Sequence, residues 1–269
     1  MKTIQTNKLV FLDIDGTLLC RDQTTNDPGL PKKISALSKK GFLFGLNSNR
    51  SLEDVLPIYE FFHLNGPLIL ENGVYFIHEN KRTFLLSQRH RFTSRAIKTL
   101  LQTFTKQQTI PAQIIVGDSV DFLRSEKATQ IPLLLLANKF RKFTGSIHPM
   151  RYGERDPKLG AQLYRFLCRY FKEAGIDVKV ELSKASGNVI FYPKGASKGR
   201  AIKELRTFFP DVAIYMVGDD VSDLETQKQV DAFFAVGNAE PLVKKSADYV
   251  ATEHYAKGVS EILDVLSTR

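Results

Sequence analysis

Two carboxylates, Asp13 and Asp15, stand one residue apart at the end of an apolar run, in the segment LVFLDIDGTL at 9–18. Side chains two apart in an extended chain lie on the same side. Like charges held at short range disfavour each other's ionisation. A hard divalent cation with oxygen ligands keeps both carboxylates ionised and useful. Gly16 and Thr17 follow at once and break the strand. These residues point to metal-assisted carboxylate chemistry at a strand tip. Asp and Gly are also common wherever a strand turns, so the weight falls on the elements around the pair and on further segments.

Hydrophobic periodicity predicts those elements. Residues 8–13 read as a buried strand, 31–40 as an amphipathic helix, 42–47 as a second strand ending in the turn Ser48-Asn49-Arg50. Residues 51–62 read as a helix with Ser51 as N-cap and Asp54 at the third position, an acidic variant of the capping box. A short strand follows at 67–70. This alternation predicts a parallel sheet flanked by helices. The pattern then changes. A hairpin is expected from 74–77 and 83–86, helices at 93–105 and 158–174, and strands at 114–116, 132–137, 178–182 and 188–192. The parallel pattern returns with a helix at 198–209, strands at 213–217 and 232–236, a helix start at 223–229 and a closing helix at 258–266. The fold class expected is α/β: a Rossmann-like parallel-sheet core at 1–76 and 194–269, interrupted by an inserted α+β domain at 77–193. Pro193 and Gly195 suit a hinge at the return.

The 269 residues are enough for two domains, and 43% hydrophobic with 25% charged is an ordinary globular balance. No apolar run is long enough to span a bilayer, and the N-terminal apolar stretch is too short for a secretory leader. Cys20 and Cys168 lie far apart without metal-ligand spacing, so a reduced, cytoplasmic chain is expected. The net charge of +9 is carried by scattered lysines and arginines with no basic run interleaved with aromatics. No nucleic-acid or membrane partner is expected; the field suits a small anionic substrate.

Four segments, LDIDGT at 12–17, NSNR at 47–50, PKGASKGRAI at 193–202 and VGDDVSD at 217–223, resemble in order and spacing the four motifs of the haloacid dehalogenase-like phosphohydrolases. VGNAEPLVKKSADYVA at 236–251 is similar to the tail of the Cof-type branch, which carries a large α/β cap between its second and third motifs. The resemblance implies a phosphatase of small phosphorylated metabolites, such as a sugar phosphate or a phosphoglycolate-like acid. It implies Asp13 as nucleophile toward phosphorus, giving an aspartyl-phosphate, and Asp15 as general acid and then base. It implies Ser48 as a phosphate-binding hydroxyl, with Asn47, Asn49 and Arg50 adding donors, and Lys198 as the phosphate-binding lysine at a helix start. Lys194 is the competitor, read as a solvated loop residue. Asp13, Asp15 through its backbone carbonyl, Asp219 and Asp223 are implied to hold Mg²⁺. Asp220 is read as solvent-facing or capping.

One position departs from the pattern, since Ser222 stands where the branch usually carries Asn. The segment IIVGDSVDFL at 114–123 imitates the acidic motif, but Asp118 and Asp121 are three apart and precede the lysine segment, so it reads as a cap strand and turn. Lys184, Ser186, Asn188, Arg151 and Arg155 are candidates for substrate choice, and Asn72 for the site entrance. A phosphosugar mutase and a non-catalytic phosphometabolite-binding regulator remain as rival functions, and the intact acidic set weighs against the second.

Overall fold

A computed structural model describes residues 8–86, 91–184 and 186–268. The elements run β1 (Lys8–Leu12), α1 (Leu30–Ser38), β2 (Phe42–Asn47), α2 (Leu52–Phe61), β3 (Leu68–Leu70), β4 (Tyr75–His78), β5 (Lys81–Phe84), α3 (Ser94–Gln107), β6 (Gln113–Gly117), α4 (Ser119–Arg124), β7 (Leu134–Asn138), β8 (Gly145–Arg151) and β9 (Glu154–Arg155). They continue with α5 (Pro157–Glu173), β10 (Val178–Leu182), β11 (Val189–Pro193), α6 (Lys198–Arg206), β12 (Ala213–Gly218), β13 (Ala232–Ala235), α7 (Pro241–Ser246), β14 (Tyr249–Val250) and α8 (Tyr255–Thr268). The chain divides into two compact units. One takes the chain up to Arg50, Val55–Leu85 and everything from Ala196; the other takes Ser51–Asp54 and Leu86–Gly195.

The first unit is built on a sheet of order β14-β13-β12-β1-β2-β3-β4-β5. β1 sits near its middle, parallel to β12 (Leu12 opposite Val217) and to β2 (Leu12 opposite Leu46). Leu9, Val10, Phe11 and Leu12 are all fully buried, as a parallel strand covered on both faces requires. Leu9, Phe11, Leu43, Ile69, Ile214 and Met216 face one way and pack with Ala201, Ile202 and Leu205 of α6. This face carries the site at its end, because Asp13 continues the alternation of Leu9 and Phe11.

The hairpin β4–β5 pairs antiparallel with β3 and so extends this sheet. The expected domain boundary at 76/77 therefore falls inside β4, and the second unit takes over at Leu86. A hairpin's alternation specifies its own pairing, not the sheet it joins. The return lies at Ala196, two residues past the expected 194.

The second unit holds a sheet of order β10-β11-β8-β7-β6, mixed in direction, with β9 paired to β8. Leu135, Ala137, Ile147, Val189 and Phe191 turn one face of it toward Leu101 and Phe104 of α3 and Leu163 and Leu167 of α5. Strand β8, GSIHPMR, is absent from the sequence reading; its polar residues and Pro149 hide its period. The segment 223–229, expected as a helix start, is a 3₁₀ stretch over Val221–Gln229. Among the described residues no helix is long and apolar enough to cross a membrane.

Candidate active site

The end of β1 continues extended into Asp13, whose backbone N–H donates to the Val217 carbonyl at 3.0 Å. On the same face, α6 begins with Lys198, behind Ser197 as N-cap. The Lys198 ammonium donates to Asp13 Oδ1 at 2.7 Å and to Asp223 Oδ1 at 2.7 Å. All three side chains are buried, with Asp223 fully so. Lys194, the rival lysine, is exposed and pairs with Asp177 at 2.8 Å.

Asp219 and Asp223 enter from the turn after β12. Asp223 Oδ2 accepts the backbone N–H groups of Asp219 (3.1 Å) and Asp220 (3.2 Å), which fixes the carboxylate at the start of the 3₁₀ stretch. Asp220 caps that stretch, accepting from the Ser222 N–H at 2.8 Å, as expected of a capping residue. Asp219 accepts from the Thr17 hydroxyl at 2.8 Å. Two glycines permit this crowding. A Cβ on Gly16, whose φ is +94°, would lie 2.1 Å from Asp219 Oδ2, and one on Gly218 would lie 2.4 Å from Asp223 Oδ2. Asn238 ties the Asp-Gly turn to the C-terminal helix, donating to the Gly16 carbonyl at 2.7 Å and accepting from the Tyr255 N–H at 2.8 Å.

Charge is unbalanced at this tip, with three carboxylates facing one ammonium. Burial pushes Asp13 well above the usual carboxylate range; Lys198 opposes it, while Asp223 and Asp219 add to it. Burial and the neighbouring Asp223 push Asp219 up to about 7, against the Thr17 hydrogen bond. Burial alone would lower Lys198, yet Asp13 and Asp223 hold it above the ordinary lysine range. One oxygen from each of Asp13, Asp219 and Asp223 can be chosen so that all lie within 4.8 Å of one another. Hard oxygen donors crowded until they resist ionisation fit a divalent cation.

Asp15 points elsewhere. Its carboxylate accepts a two-point fork from Arg50, Nε to Oδ2 at 2.9 Å and Nη2 to Oδ1 at 2.5 Å. Gln23 joins them, donating from Nε2 to Asp15 Oδ1 at 3.1 Å and accepting from Arg50 Nη2. Burial at the crowded tip works to raise the Asp15 carboxyl, but Arg50 and Gln23 hold it well below the usual range.

Ser48 is buried at the tip of β2, its N–H on the Ile69 carbonyl at 2.9 Å and its hydroxyl accepting from the Arg50 N–H at 3.2 Å. Asn49 is half-buried in the turn between them. Asn47, one residue before Ser48, is fully buried with both amide atoms lacking a hydrogen-bond partner among the described residues. Two strand periods after Leu43, it lies on the face of the sheet that carries Asp13 and Lys198. Asn72 is buried beside Ser48, its N–H on the Ser48 carbonyl at 3.3 Å. The structure thus gathers Asp13, Lys198, Asp219 and Asp223 into one cluster and Asp15, Arg50 and Gln23 into another beside it. Gln23 carried no signal in the sequence, because its loop has no period and matches no motif.

The acidic decoy is structural: Asp118 caps α4, accepting from the Val120 and Asp121 N–H groups at 3.1 Å. Of the specificity candidates, Arg155 donates to Asn188 Oδ1 at 2.9 Å and contacts His148 Nδ1 at 2.6 Å. Arg151 pairs with Asp156 at 3.1 Å, Ser186 donates to Ser183 at 2.8 Å, and Lys184 is exposed.

Residues 10–263 match the family model of the haloacid dehalogenase-like hydrolases. The chain is 26% identical over 260 residues to phosphoglycolate phosphatase 1 of Saccharolobus solfataricus, covering 96% of this chain and 95% of that one. It is 20% identical over 270 residues to the 5-amino-6-(5-phospho-D-ribitylamino)uracil phosphatase YbjI of Escherichia coli, covering 96% and 95%. A solved haloacid dehalogenase-like hydrolase from Bacteroides thetaiotaomicron superposes with a TM-score of 0.70 at 18% identity, covering 97% of this chain and all of that one.

Proposed function

Because the chain belongs to the haloacid dehalogenase-like hydrolases, as a phosphoric monoester hydrolase, we propose that it is a Mg²⁺-dependent phosphatase of small phosphorylated metabolites working through Asp13. The observation that carries this reading is the Asp13–Lys198–Asp223 constellation, two carboxylates joined at 2.7 Å through one buried ammonium.

Asp13 attacks phosphorus and the ester P–O bond breaks, leaving the phosphoryl group on the Asp13 oxygen. Asp15 gives a proton to the departing oxygen, then takes one from the water that cleaves the aspartyl-phosphate. For the first transfer Asp15 takes up a proton from solvent; the Arg50 fork favours the ionised form that this transfer leaves, which then accepts the proton of the attacking water. Ser48, Asn49, Arg50 and Lys198 supply donors for the phosphate oxygens, and Lys198 also offsets charge beside the nucleophile. Asp13, Asp219, Asp223 and the Asp15 carbonyl would hold the divalent ion, which when bound neutralises phosphate charge. Phosphoglycolate and 5-amino-6-(5-phospho-D-ribitylamino)uracil are named for two relatives of similar coverage, so the shared chemistry is a phosphate monoester of a small metabolite.

The test is phosphate release over a panel of phosphate esters, including phosphoglycolate and sugar phosphates. Turnover is expected with Mg²⁺, lost on chelation and restored on re-addition. Turnover that survives thorough metal removal, or none on any ester, contradicts the reading.

A further inference from the structure

We propose that Gln23 is a positioning residue for the proposed phosphatase reaction, its side-chain amide clamping Asp15 and Arg50 in one fixed arrangement. Three side chains close a ring. Arg50 Nη2 reaches both Asp15 Oδ1 and Gln23 Oε1, and Gln23 Nε2 returns to Asp15 Oδ1 at 3.1 Å. Gln23 uses its donor on one partner and its acceptor on the other, which only a primary amide can do at that length. The inference rests on the phosphatase reading for what the clamp serves, and on geometry for the clamp itself.

The backbone supplies a second observation. Gln23 has φ +66°, the left-handed region that disfavours a residue with a Cβ. Its loop is wound to hold that shape. The Gln23 N–H bonds the Cys20 carbonyl at 2.9 Å and the Cys20 N–H bonds the Thr24 carbonyl at 2.8 Å. Asp22 Oδ1 accepts from both the Thr24 N–H (3.0 Å) and its hydroxyl (2.7 Å). Glycine suits such a turn best; Gln23 is one of nine non-glycine residues with positive φ among the described residues, and what sets it apart is that its amide reaches Asp15 and Arg50. Residues held in sparsely populated backbone regions cluster where function over-determines them. Here the turn aims the amide at the one carboxylate of the motif that lies outside the metal-fitting cluster.

Released from the clamp, Asp15 keeps its salt bridge but gains freedom to rotate, and misplacing a proton-transfer group slows the reaction without weakening binding. Two variants separate this from a role in folding. Gln23→Met keeps the length and removes the amide; Gln23→Gly removes the side chain and relaxes the turn. Both are expected to lower kcat about tenfold with KM for the ester held within about twofold. Gln23→Gly should keep Tm within about 2 °C of wild type, because the relaxed backbone offsets the lost contacts. Side-chain ¹⁵N NMR of Arg50 reads the clamp without any substrate: its Nη–H signals should exchange faster with solvent in Gln23→Met. Unchanged kcat, a loss of kcat that tracks a fall in Tm, or unchanged Arg50 exchange overturns the proposal. Should wild type turn over no ester, the phosphatase reading fails, while the Arg50 signals still decide the clamp.

Discussion

Replacing Lys198 with methionine keeps the side chain's length and removes its charge, leaving Asp13 and Asp223 buried without their shared partner. At 2.7 Å each attraction amounts to about 6 kcal/mol with an effective dielectric near 20. Much of that offsets the desolvation of three buried groups, so the net cost of truncation is about 3–5 kcal/mol. For a chain of this size the melting temperature should fall by roughly 6–15 °C in metal-free buffer at pH 8. Two dependences accompany the loss. It should shrink as pH falls, because Lys198 opposes the rise in the Asp13 pKa and its removal lets Asp13 take up a proton earlier. It should also shrink in saturating Mg²⁺, because a divalent ion supplies the missing positive charge. Thermal melts of both proteins in chelator and in Mg²⁺, at pH 6 and pH 8, give all four comparisons. A variant as stable as wild type in chelator at pH 8 would refute the reasoning, since the buried carboxylates would then have no need of the ammonium.

Asp219 sets a pH dependence of its own. Its folded-state pKa of about 7 lies above the ordinary aspartate value of 3.8, so the folded metal-free protein holds a proton that the unfolded chain has released. That stability is present at low pH and lost as pH rises through about 7, by about 4 kcal/mol at most. Urea unfolding from pH 5 to 8 in chelator should show the decline, and Mg²⁺ should flatten it. Asn47→Val removes an amide that has no partner among the described residues and places a β-branched side chain in a strand. It should raise stability by about 1–2 kcal/mol in urea unfolding, and a loss of that size would mean the amide is satisfied in solution.

The motif carboxylates, Ser48 and Lys198 were singled out in the sequence through the resemblance of four segments in order and spacing, each at the end or start of an element. The partner of Arg50 was not. The fold turns the Arg50 fork onto Asp15, thirty-five positions away in the chain, a pairing that no local pattern announces. Gln23 was invisible for a related reason: a polar loop carries no period, and only the backbone conformation shows where the amide points. The hairpin β4–β5 was found as a hairpin but split by the boundary expected at 76/77, because the sheet it joins is decided by β3. Strand β8 was lost to Gly145, Ser146, His148 and Pro149, which read as a loop although the strand is central to its sheet.

The central claim is that Asp13 carries the phosphoryl group during turnover. Acid quench of the wild-type protein during turnover of a ³²P-labelled ester that it hydrolyses, followed by peptide mapping, tests it most directly. Acid-stable label is expected on the peptide containing Asp13, and neither label nor phosphate release in a folded Asp13→Asn variant. Label on another residue, or turnover retained by Asp13→Asn, would contradict it.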